Sequence, residues 1–296
     1  MSDLEALCRL IRPLATRPGF VETRLPGVEV LSWDHYVASS PQIYEPSIMV
    51  LAQGSKLARL GERTLDYGAG QYLLQALSVP FMCETFASAA QPLYGVAIGL
   101  DPLVLGEMTQ HMAPLPEGML RAQTPASMSS AVLDAPMREA VLRLLQCLQD
   151  DEQARVMGAA RMREVYFAAL KGPQAGALRA LVEQQGAFAR IGAALAYLRD
   201  HYDQALSIET LAGQANMSAS AFHEHFKRTT LLSPIQYLKR LRLLKAQQML
   251  IGEGLGVAQV AHRVGYQSSS QFSREYKRQF ARNPGEELAG RLGMGG

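Results

Sequence analysis

The sequence has few cysteines and no long apolar run, and each absence excludes a class of protein. Its three cysteines, Cys8, Cys83 and Cys147, are isolated and odd in number. They therefore offer neither a disulfide framework nor a zinc knuckle, which fits a reducing cytoplasm. No run approaches the ~18–20 apolar residues that cross a membrane. The N-terminal MSDLEALCRLIRPLATR carries charges of both signs and no long apolar core, so we expect no signal peptide and no membrane partner.

Net charge is also small, at +2 over 296 residues, but it is unevenly distributed. Residues 187–296 contain 14 Lys and Arg against 8 Asp and Glu, a net of +6, whereas residues 1–186 have a net of −4. The C-terminal third is therefore where a polyanionic partner would bind, although a solvated basic surface would give the same count.

Short apolar runs alternate with glycine-marked turns from about residue 20 to residue 100. Examples are VEVLSW, SIMVLAQG, RTLDYGAG and LYGVAIGL, with Gly54, Gly61, Gly68 and Gly70 at the reversals. A turn every 8–12 residues indicates antiparallel strands in a sandwich or small barrel. The β-branched and aromatic content argues against helices here.

The periodicity becomes helical from residue 101 to about residue 186. DPLVLGEMTQHM predicts a short helix, residues 114–130 read as a Pro/Ser-rich link, and a longer helix follows Asp134. An apolar stripe on this longer helix either packs on its own domain or forms a self-complementary dimer contact. The stripe consists of Met137, Val141, Leu144, Leu145 and Leu148.

The C-terminal region reads as all-helical, with polar caps marking its helix starts. Ser207 and Ser218 precede helical patterns, and Ser233-Pro234 with Gln236 predicts a capping box. Ser268 with Gln271 repeats that box.

Two parts of this region have the same design. SIETLAGQA, a turn and SASAFHEHFKRTT match GVAQVAHRVGYQ followed by SSSQFSREYKRQF. In each second helix an aromatic pair four residues apart faces inward, so small polar and basic residues face outward. A helix that reads the major groove needs this arrangement, because its N-terminal residues reach base edges while basic residues meet phosphates.

The spacing of the two parts supports the same interpretation. PIQYLKRLRLLKAQQML lies between them and forms about 26 Å of helix at 1.5 Å per residue. With the flanking helices added, the two reading helices would lie about one DNA turn, ~34 Å, apart. We expect one chain to read two successive major-groove segments, with Arg274 as the candidate for bidentate contact with guanine.

Residues 207–284 resemble the DNA-binding domain of AraC/XylS-type transcription regulators. The resemblance lies in IETLA, MSASAFHEHFK, SPIQYLKRLRLLKAQQML, VAHRVGYQSSSQFSREYKRQF and the following NP. The LAQGSK stretch and the GxxxLxYGxGxYLL pattern resemble the cupin-like N-terminal domain of one subgroup. FARNP departs from the usual Gly before Ser/Thr-Pro, and Glu224 places a carboxylate on the first reading helix, where it would repel phosphate.

The resemblance implies an α+β chain with a cupin-like β-barrel or sandwich, a helical dimerisation segment and two helix-turn-helix units. Residues 1–186 would be the effector and dimerisation domain (β about 20–100, helices about 101–186), and residues 187–296 the DNA-binding domain. Within the latter, 207–229 and 256–280 are the predicted helix-turn-helix units and 233–251 the connecting helix. The DNA-binding residues that we expect are Ser218, Ser220, His223, Glu224, Lys227, Arg228, Arg240, Ser268, Ser269, Ser270, Ser273, Arg274, Lys277 and Arg278.

Expected partners follow from the same reading. They are double-stranded promoter DNA, RNA polymerase, a small-molecule effector and a second copy of the chain. Either the effector or dimerisation would modulate DNA binding.

A cupin-like barrel also invites the hypothesis of a metal-dependent oxygenase or isomerase. Such chemistry needs several His and carboxylates around one metal, and residues 1–186 contain only His35 and His111. We therefore expect neither an enzyme nor a metal or other cofactor. An effector pocket inside the barrel is the remaining expectation, with ordinary core packing as the alternative for each side chain. Its candidate lining residues are Trp33, Tyr44, Tyr72, Phe81 and Tyr94.

Overall fold

A computed structural model describes residues 3–114, 125–183 and 186–293 of the chain. Two compact units can be separated. The N-terminal unit comprises Met1–Ser39, Tyr44–Ser78 and Cys83–Ala189, and the C-terminal unit comprises Arg190–Gly296 with the short segments Ser40–Ile43 and Val79–Met82.

The N-terminal region contains two β-sheets, which confirms the α+β class. The six-stranded sheet has the order β1-β2-β9-β4-β7-β10, and the four-stranded sheet has the order β3-β8-β5-β6. Neighbouring strands with a defined register run antiparallel, as the regularly spaced turns predict. The strands are β1 (Gly19–Glu22), β2 (Val28–Trp33), β3 (Val37–Gln42), β4 (Ser47–Gln53), β5 (Ser55–Leu60), β6 (Arg63–Gly68), β7 (Gln71–Gln75), β8 (Phe81–Phe86), β9 (Leu93–Gly99) and β10 (Met128–Val132).

Strand β10 corrects the expectation of a continuous link over residues 114–130. It pairs antiparallel with β7, with Met128 opposite Gln75 and Val132 opposite Gln71. Residues 115–124 of the predicted link lie outside the described residues. A strand of five residues with two serines has too weak an alternation to be recognised in the sequence.

Helices complete the N-terminal unit. Asp101 and Asp134 cap α2 and α3 by accepting backbone N–H groups, and a proline occupies the first turn of each. The helices are α1 (Asp3–Ile11), α2 (Pro102–Gln110), α3 (Ala135–Cys147), α4 (Asp151–Lys171) and α5 (Ala175–Val182), and α6 (Ala187–Asp200) leads into the C-terminal unit.

The apolar stripe of α3 lies in the interior of its own unit. Met137, Val141, Leu144, Leu145 and Leu148 are each at most 1% exposed in the single chain. Such side chains cannot meet a second copy unless the unit opens, so the dimerisation role expected for these five residues is corrected to core packing. The helical spacing of the apolar residues predicts which face of α3 is buried, but not whether that face packs within the unit or against a second copy.

The C-terminal unit is all-helical, as expected. Its helices are α7 (Ile208–Gln214), α8 (Ala219–Thr230), α9 (Pro234–Gly252), α10 (Val257–Arg263), α11 (Ser269–Phe280) and α12 (Pro284–Gly293). Ser207, Ser218, Ser233 and Ser268 all cap their helices through the side-chain oxygen. The box at Ser233 is complete, whereas at Ser268 the Gln271 amide donates to Glu275 instead, so that second predicted box is half formed.

Aromatic side chains pack α8 and α11, the two predicted reading helices, against their neighbours. Phe222 contacts Phe226, and Phe226 meets Tyr237 of α9 edge-on, with ring centroids 5.6 Å apart. In the second part a buried cluster joins α9, α10 and α11. It includes Tyr266, Phe272 and Tyr276, whose successive ring centroids lie about 5.5 Å apart. Burying one face in this way leaves the opposite face of each helix to solvent.

Candidate nucleic-acid interface

The two helix-turn-helix parts match in sequence with an offset of 50 residue numbers from the caps of α8 and α11 onward, and with an offset of 49 in the turns before them. Ser218 caps α8 and Ser268 caps α11, Phe222 matches Phe272, and Pro234 matches Pro284 at the start of the next helix. The two C-caps also match, because Leu231 and Ala281 both adopt left-handed backbone conformations with φ of 59° and 57°. The repeat is therefore structural and extends beyond the two reading helices.

The two turns have the same hydrogen bonding but different residues at the left-handed position. Met217 N donates to Ala212 O in the first turn, and Tyr266 N donates to Ala261 O in the second, each at 2.9 Å. The residue before each donor has positive φ, 49° at Asn216 and 86° at Gly265. A Cβ at Gly265 would lie 2.4 Å from Asp203 O, so the second turn admits only glycine without rearrangement.

An arginine holds each turn from a neighbouring helix. Arg190 of α6 donates to Asn216 O at 3.1 Å, and Arg242 of α9 donates to Gly265 O at 3.2 Å. Arg242 also donates to the carbonyls of Tyr202 (2.6 Å) and Gln204 (2.8 Å). Sequence reasoning missed both arginines, since a basic residue on an amphipathic helix looks the same whether it faces DNA or a carbonyl.

The predicted contact residues lie on the outward faces of α8 and α11. Arg274, Lys277 and Arg278 are exposed, and no ion pair involves them within the described ranges of the chain. Ser273 is half-buried and donates to Ser269 O at 2.9 Å, so its hydroxyl is already engaged in its own helix. The remaining exposed members are Ser218, Ser220, His223, Glu224, Lys227, Arg228, Ser268, Ser269 and Ser270.

The two reading helices differ in where they place a carboxylate. Glu224 matches Arg274 in the repeat, and its side chain is 76% exposed. The carboxylate of α11, Glu275, is only 12% exposed. It accepts from Lys239 Nζ and Tyr266 Oη, each at 2.8 Å, and from Gln271 Nε2 at 3.3 Å. The outward face of α11 is therefore purely basic, whereas that of α8 is mixed.

Comparison with known families identifies this arrangement. Residues 24–177, just over half of the chain, match the AraC-type transcriptional regulator N-terminus, and residues 211–289 match a helix-turn-helix domain. The chain belongs to the AraC-type transcriptional regulators. The chain is 37% identical over 103 residues to the HTH-type transcriptional activator RhaS of Enterobacter sp. (strain 638), and 34% identical over 105 residues to RhaS of Escherichia coli O1:K1 / APEC.

The match to the RhaS proteins is partial. It covers 35–36% of this AraC-type regulator and 37–38% of the relatives, so the chain matches little more than a third of their length. Solved structures of ToxT from Vibrio cholerae share the fold over most of both chains. The form bound to an unsaturated fatty acid gives a TM-score of 0.60 at 9% identity, covering 88% of this chain and 94% of ToxT. ToxT bound to (E)-4-(8-methylnaphthalen-1-yl)but-3-enoic acid gives 0.53 at 12% identity, covering 88% and 97%.

Of the expected DNA contacts of this regulator, Arg228 is engaged by side chains of its own helix and Arg240 is half-buried. Arg228 Nη2 lies 2.5 Å from His225 Nδ1, and Arg228 Nη1 lies 4.0 Å from Glu224. Arg240, on α9, is half-buried, and burial lowers the pKa of its guanidinium from its ordinary value. Both residues remain predictions as phosphate contacts. To reach a phosphate, Arg228 would have to leave His225 and Glu224, and the Arg240 side chain would have to turn outward.

The surroundings of the aromatic residues expected to line an effector pocket can be described one by one, and their role stays a prediction. Trp33 and Tyr44 both contact Phe20 edge-on, with ring centroids 5.6 and 5.3 Å away. Tyr94 instead lies under the Arg12 guanidinium, 5.6 Å from its ring centroid. Tyr72 and Phe81 are each 2% exposed, and burial raises the pKa of Tyr72 to about 12.

Sequence reasoning missed the side chain that joins Trp33 and Tyr44. Lys56 of β5 is 1% exposed, and its Nζ lies 4.0 Å from the Trp33 ring centroid. In SKLARL, positions 56, 58 and 60 are buried together. The period-two alternation of the strand could have placed Lys56 on the inward face, but a lysine is normally assigned to solvent.

The described parts of the chain contain neither a candidate metal site nor a candidate membrane span. There, no three His, Cys, Asp or Glu side chains gather into a group that could hold a metal ion. No helix among the same residues has the length and apolarity to span a bilayer.

Proposed function

We propose that the chain is a sequence-specific transcription regulator that inserts α8 and α11 into two successive major-groove segments of promoter DNA. The repeat carries this proposal, because two helices with the same serine cap, buried aromatic pair and outward polar face lie on either side of α9. Helix α9 has 19 residues, or about 28 Å at 1.5 Å per residue, which suits a separation of one DNA turn.

The two ends of each reading helix would have different roles. Small residues at the start of α11, Ser269 and Ser270, allow close approach to the groove, and Arg274 one turn later can reach guanine O6 and N7. Lys277 and Arg278 near its end would meet phosphates and fix the register. On α8, Ser220 and His223 would contact bases, and Glu224 would accept from cytosine N4.

Selection of duplexes from a random-sequence library tests the proposal. The full chain should enrich a site with two half-sites about 10 base pairs apart. Inserting five base pairs between them should remove most of the specific affinity, because the second helix would then face the wrong side of the duplex. Enrichment of no motif, or equal tolerance of the insertion, would show that the chain does not read DNA through two coupled helices.

A small-molecule effector site in the N-terminal unit is part of the same proposal. We assign residues 1–186 to effector binding and dimerisation and residues 187–296 to DNA binding. Support comes from the shared fold with ToxT, whose structures include carboxylic acid ligands, and from the Trp33, Phe20 and Tyr44 rings around Lys56. Effector-dependent change in affinity for the selected duplex would test this part.

We infer that a second copy of the chain binds on the outer face of α4. Val156 is 72% exposed and Phe167 is 51% exposed. With Ala160 and Arg163 they recur at i, i+4, i+7 and i+11, the spacing of one seam between packed helices. Sedimentation should show a dimer that Val156→Glu with Phe167→Glu converts to monomer, while the exposed-site control Arg155→Glu leaves it intact. A monomeric wild type at micromolar concentration would rule out this contact.

RNA polymerase is the last proposed partner. Transcription in vitro from a promoter carrying the selected site should change in proportion to occupancy by the full chain. The sign of that change would establish activation or repression, and no change at saturating occupancy would argue against a regulatory role at that promoter.

A further inference from the structure

The guanidinium of Arg242, on α9, is shared between the two helix-turn-helix parts. Its Nη1 donates to Gly265 O, in the turn before α11, at 3.2 Å. Its Nε donates to Tyr202 O at 2.6 Å, and its Nη2 donates to Gln204 O at 2.8 Å. Residues 202–204 lie between α6 and α7, so one side chain joins the entry to the first part with the turn of the second.

Packing holds the same two segments together. A Cβ on Gly265 would lie 2.4 Å from Asp203 O, so the backbone of the second turn approaches the 202–204 segment closely. The Tyr202 side chain also packs against the buried cluster of the second part. Because these contacts use backbone and apolar groups, they support the connection independently of the hydrogen bonds from Arg242.

The 202–204 segment also determines where the first part begins. Two residues separate it from Ser207, which caps α7, and α7 contacts the reading helix α8. The first reading helix is therefore connected to the second turn by a path that does not run along α9. At the other end, Lys239 of α9 holds α11 through Glu275, with Nζ 2.8 Å from the carboxylate.

This second path matters because a single long helix does not fix the orientation of two bodies at its ends. Helices bend gently along their length, and α9 has 19 residues. Two separate connections restrict both the bend and the twist between α8 and α11. Successive base pairs are rotated by about 34° around the duplex, so a small twist between the helices changes which spacing of half-sites fits.

We propose that Arg242 is a positioning residue that sets the half-site spacing read by this regulator. By fixing the rotation of α11 relative to α8, it allows both helices to enter the major groove at one spacing and not at neighbouring ones. This assignment rests on the proposed reading of DNA by two helices and specifies what determines their spacing. Linked binding modules gain affinity only where the linker allows both to engage, so a looser connection narrows the difference in affinity between spacings.

Duplexes whose half-sites are moved closer or apart by one to three base pairs test this role. One added base pair rotates the second half-site by about 34°, and should lower the affinity of the full wild-type chain by about tenfold or more. Arg242→Lys keeps the positive charge but replaces the planar fork of donors with one ammonium. In this variant the loss caused by one added base pair should shrink to about threefold or less.

Arg190→Lys is the matched control, because Arg190 holds only the first turn, through Asn216 O. This variant should keep the wild-type dependence of affinity on spacing. If Arg242→Lys lowers affinity by the same factor at every spacing, Arg242 merely stabilises the fold and the proposal is overturned. A loss of about twofold or less for one added base pair in the wild type overturns it as well.

A second variant covers the case in which Arg242→Lys does not fold, as judged by circular dichroism. Inserting two glycines between Ala205 and Leu206 leaves the hydrogen bonds of Arg242 in place but releases α7 from the 202–204 segment. Tolerance of altered spacing should widen in this chain as well. If the insertion leaves the dependence on spacing unchanged, the proposed path does not position α8 and the proposal is overturned.

A measurement without DNA distinguishes this inference from the proposed function. Spin labels would be attached at Ser220→Cys and Ser270→Cys, which are exposed and equivalent in the repeat, whereas the three native cysteines are buried. The distance distribution between the labels should be broader with Arg242→Lys than without it. Equal widths in a chain that selects paired half-sites would refute the role of Arg242 alone. A broader distribution in a chain that selects no duplex would refute the regulator proposal while confirming the connection.

Discussion

The two helix-turn-helix parts of this chain share their helices, caps and turns but carry side chains of opposite charge at one equivalent position. Glu224 on α8 and Arg274 on α11 occupy equivalent places, both exposed. In α11 the one carboxylate is turned inward and held by Lys239 and Tyr266. In α8 the carboxylate points outward and lies 4.0 Å from Arg228, a residue that we propose as a phosphate contact.

This difference suggests a division of labour between two copies of one motif. The second part presents three cations without an opposing charge, so it should supply more of the sequence-independent affinity. The first part offers Glu224, His223 and Ser220, which can discriminate bases but contribute little attraction to the phosphate backbone. The shared caps and aromatic cores keep both helices in place while the outward residues diverge.

Substitution of the left-handed turn residues should give the largest contrast. Gly265→Ala places a Cβ 2.4 Å from Asp203 O at a φ of 86°, and we expect a loss of about 3 kcal/mol or more in unfolding free energy. Asn216→Ala changes only the left-handed preference and should cost about 1 kcal/mol. Urea unfolding followed by circular dichroism would measure both, with Trp33 fluorescence reporting separately on the N-terminal unit. Equal costs at the two turns would contradict the steric argument.

Neutralising the equivalent outward charges should change DNA affinity in opposite directions. Arg274→Ala should lose about 1–3 kcal/mol of binding free energy and relax preference at one base pair. Glu224→Ala should leave non-specific affinity unchanged or raise it severalfold, because it removes repulsion and frees Arg228. Fluorescence anisotropy at two or more salt concentrations would measure both. A loss of equal size in the two variants would refute the proposed division of labour.

The inward carboxylate of α11 should matter for stability and give it a pH dependence. Burial raises the pKa of Glu275, but hydrogen bonds from Lys239, Tyr266 and Gln271 outweigh this and hold the pKa below its ordinary value. The resulting stabilisation is present above the unfolded-state pKa of about 4.3 and is lost as pH falls through the lower folded-state pKa.

Glu275→Gln should therefore cost about 1–2 kcal/mol at pH 7 and reduce the loss of stability on acidification below about pH 4.3. Glu224→Gln is the matched control, since its exposed carboxylate should contribute close to nothing to stability. Unfolding midpoints measured from pH 3 to pH 7 would test both variants. If the midpoint of Glu275→Gln falls at low pH as much as that of the wild type, Glu275 does not cause the pH dependence.

The structural features that could be predicted from the sequence were those whose pattern recurs in it. The serine caps, the inward aromatic pairs and the change from period two to helical period determined the element types and the faces of α8 and α11. What covers a buried face could not be read, so the sequence left the α3 stripe open between packing on its own domain and a dimer contact, and the structure buries it within its own unit. Polar side chains that point inward, Lys56, Arg242 and Glu275, were missed because composition assigns such residues to solvent.

The two C-caps offer the smallest contrast. Ala281 and Leu231 both adopt left-handed conformations, which cost a non-glycine residue about 1 kcal/mol or more. Ala281 is exposed and loses only a methyl group on substitution, so Ala281→Gly should stabilise the chain by about 0.5 kcal/mol after the added flexibility of the unfolded state is subtracted. Leu231 is 39% exposed, so glycine there also forfeits about 1–2 kcal/mol of apolar burial. Leu231→Gly should therefore destabilise, and urea unfolding of the two variants should show opposite signs. The same sign in both would mean that backbone strain, rather than side-chain burial, sets the choice of residue at these caps.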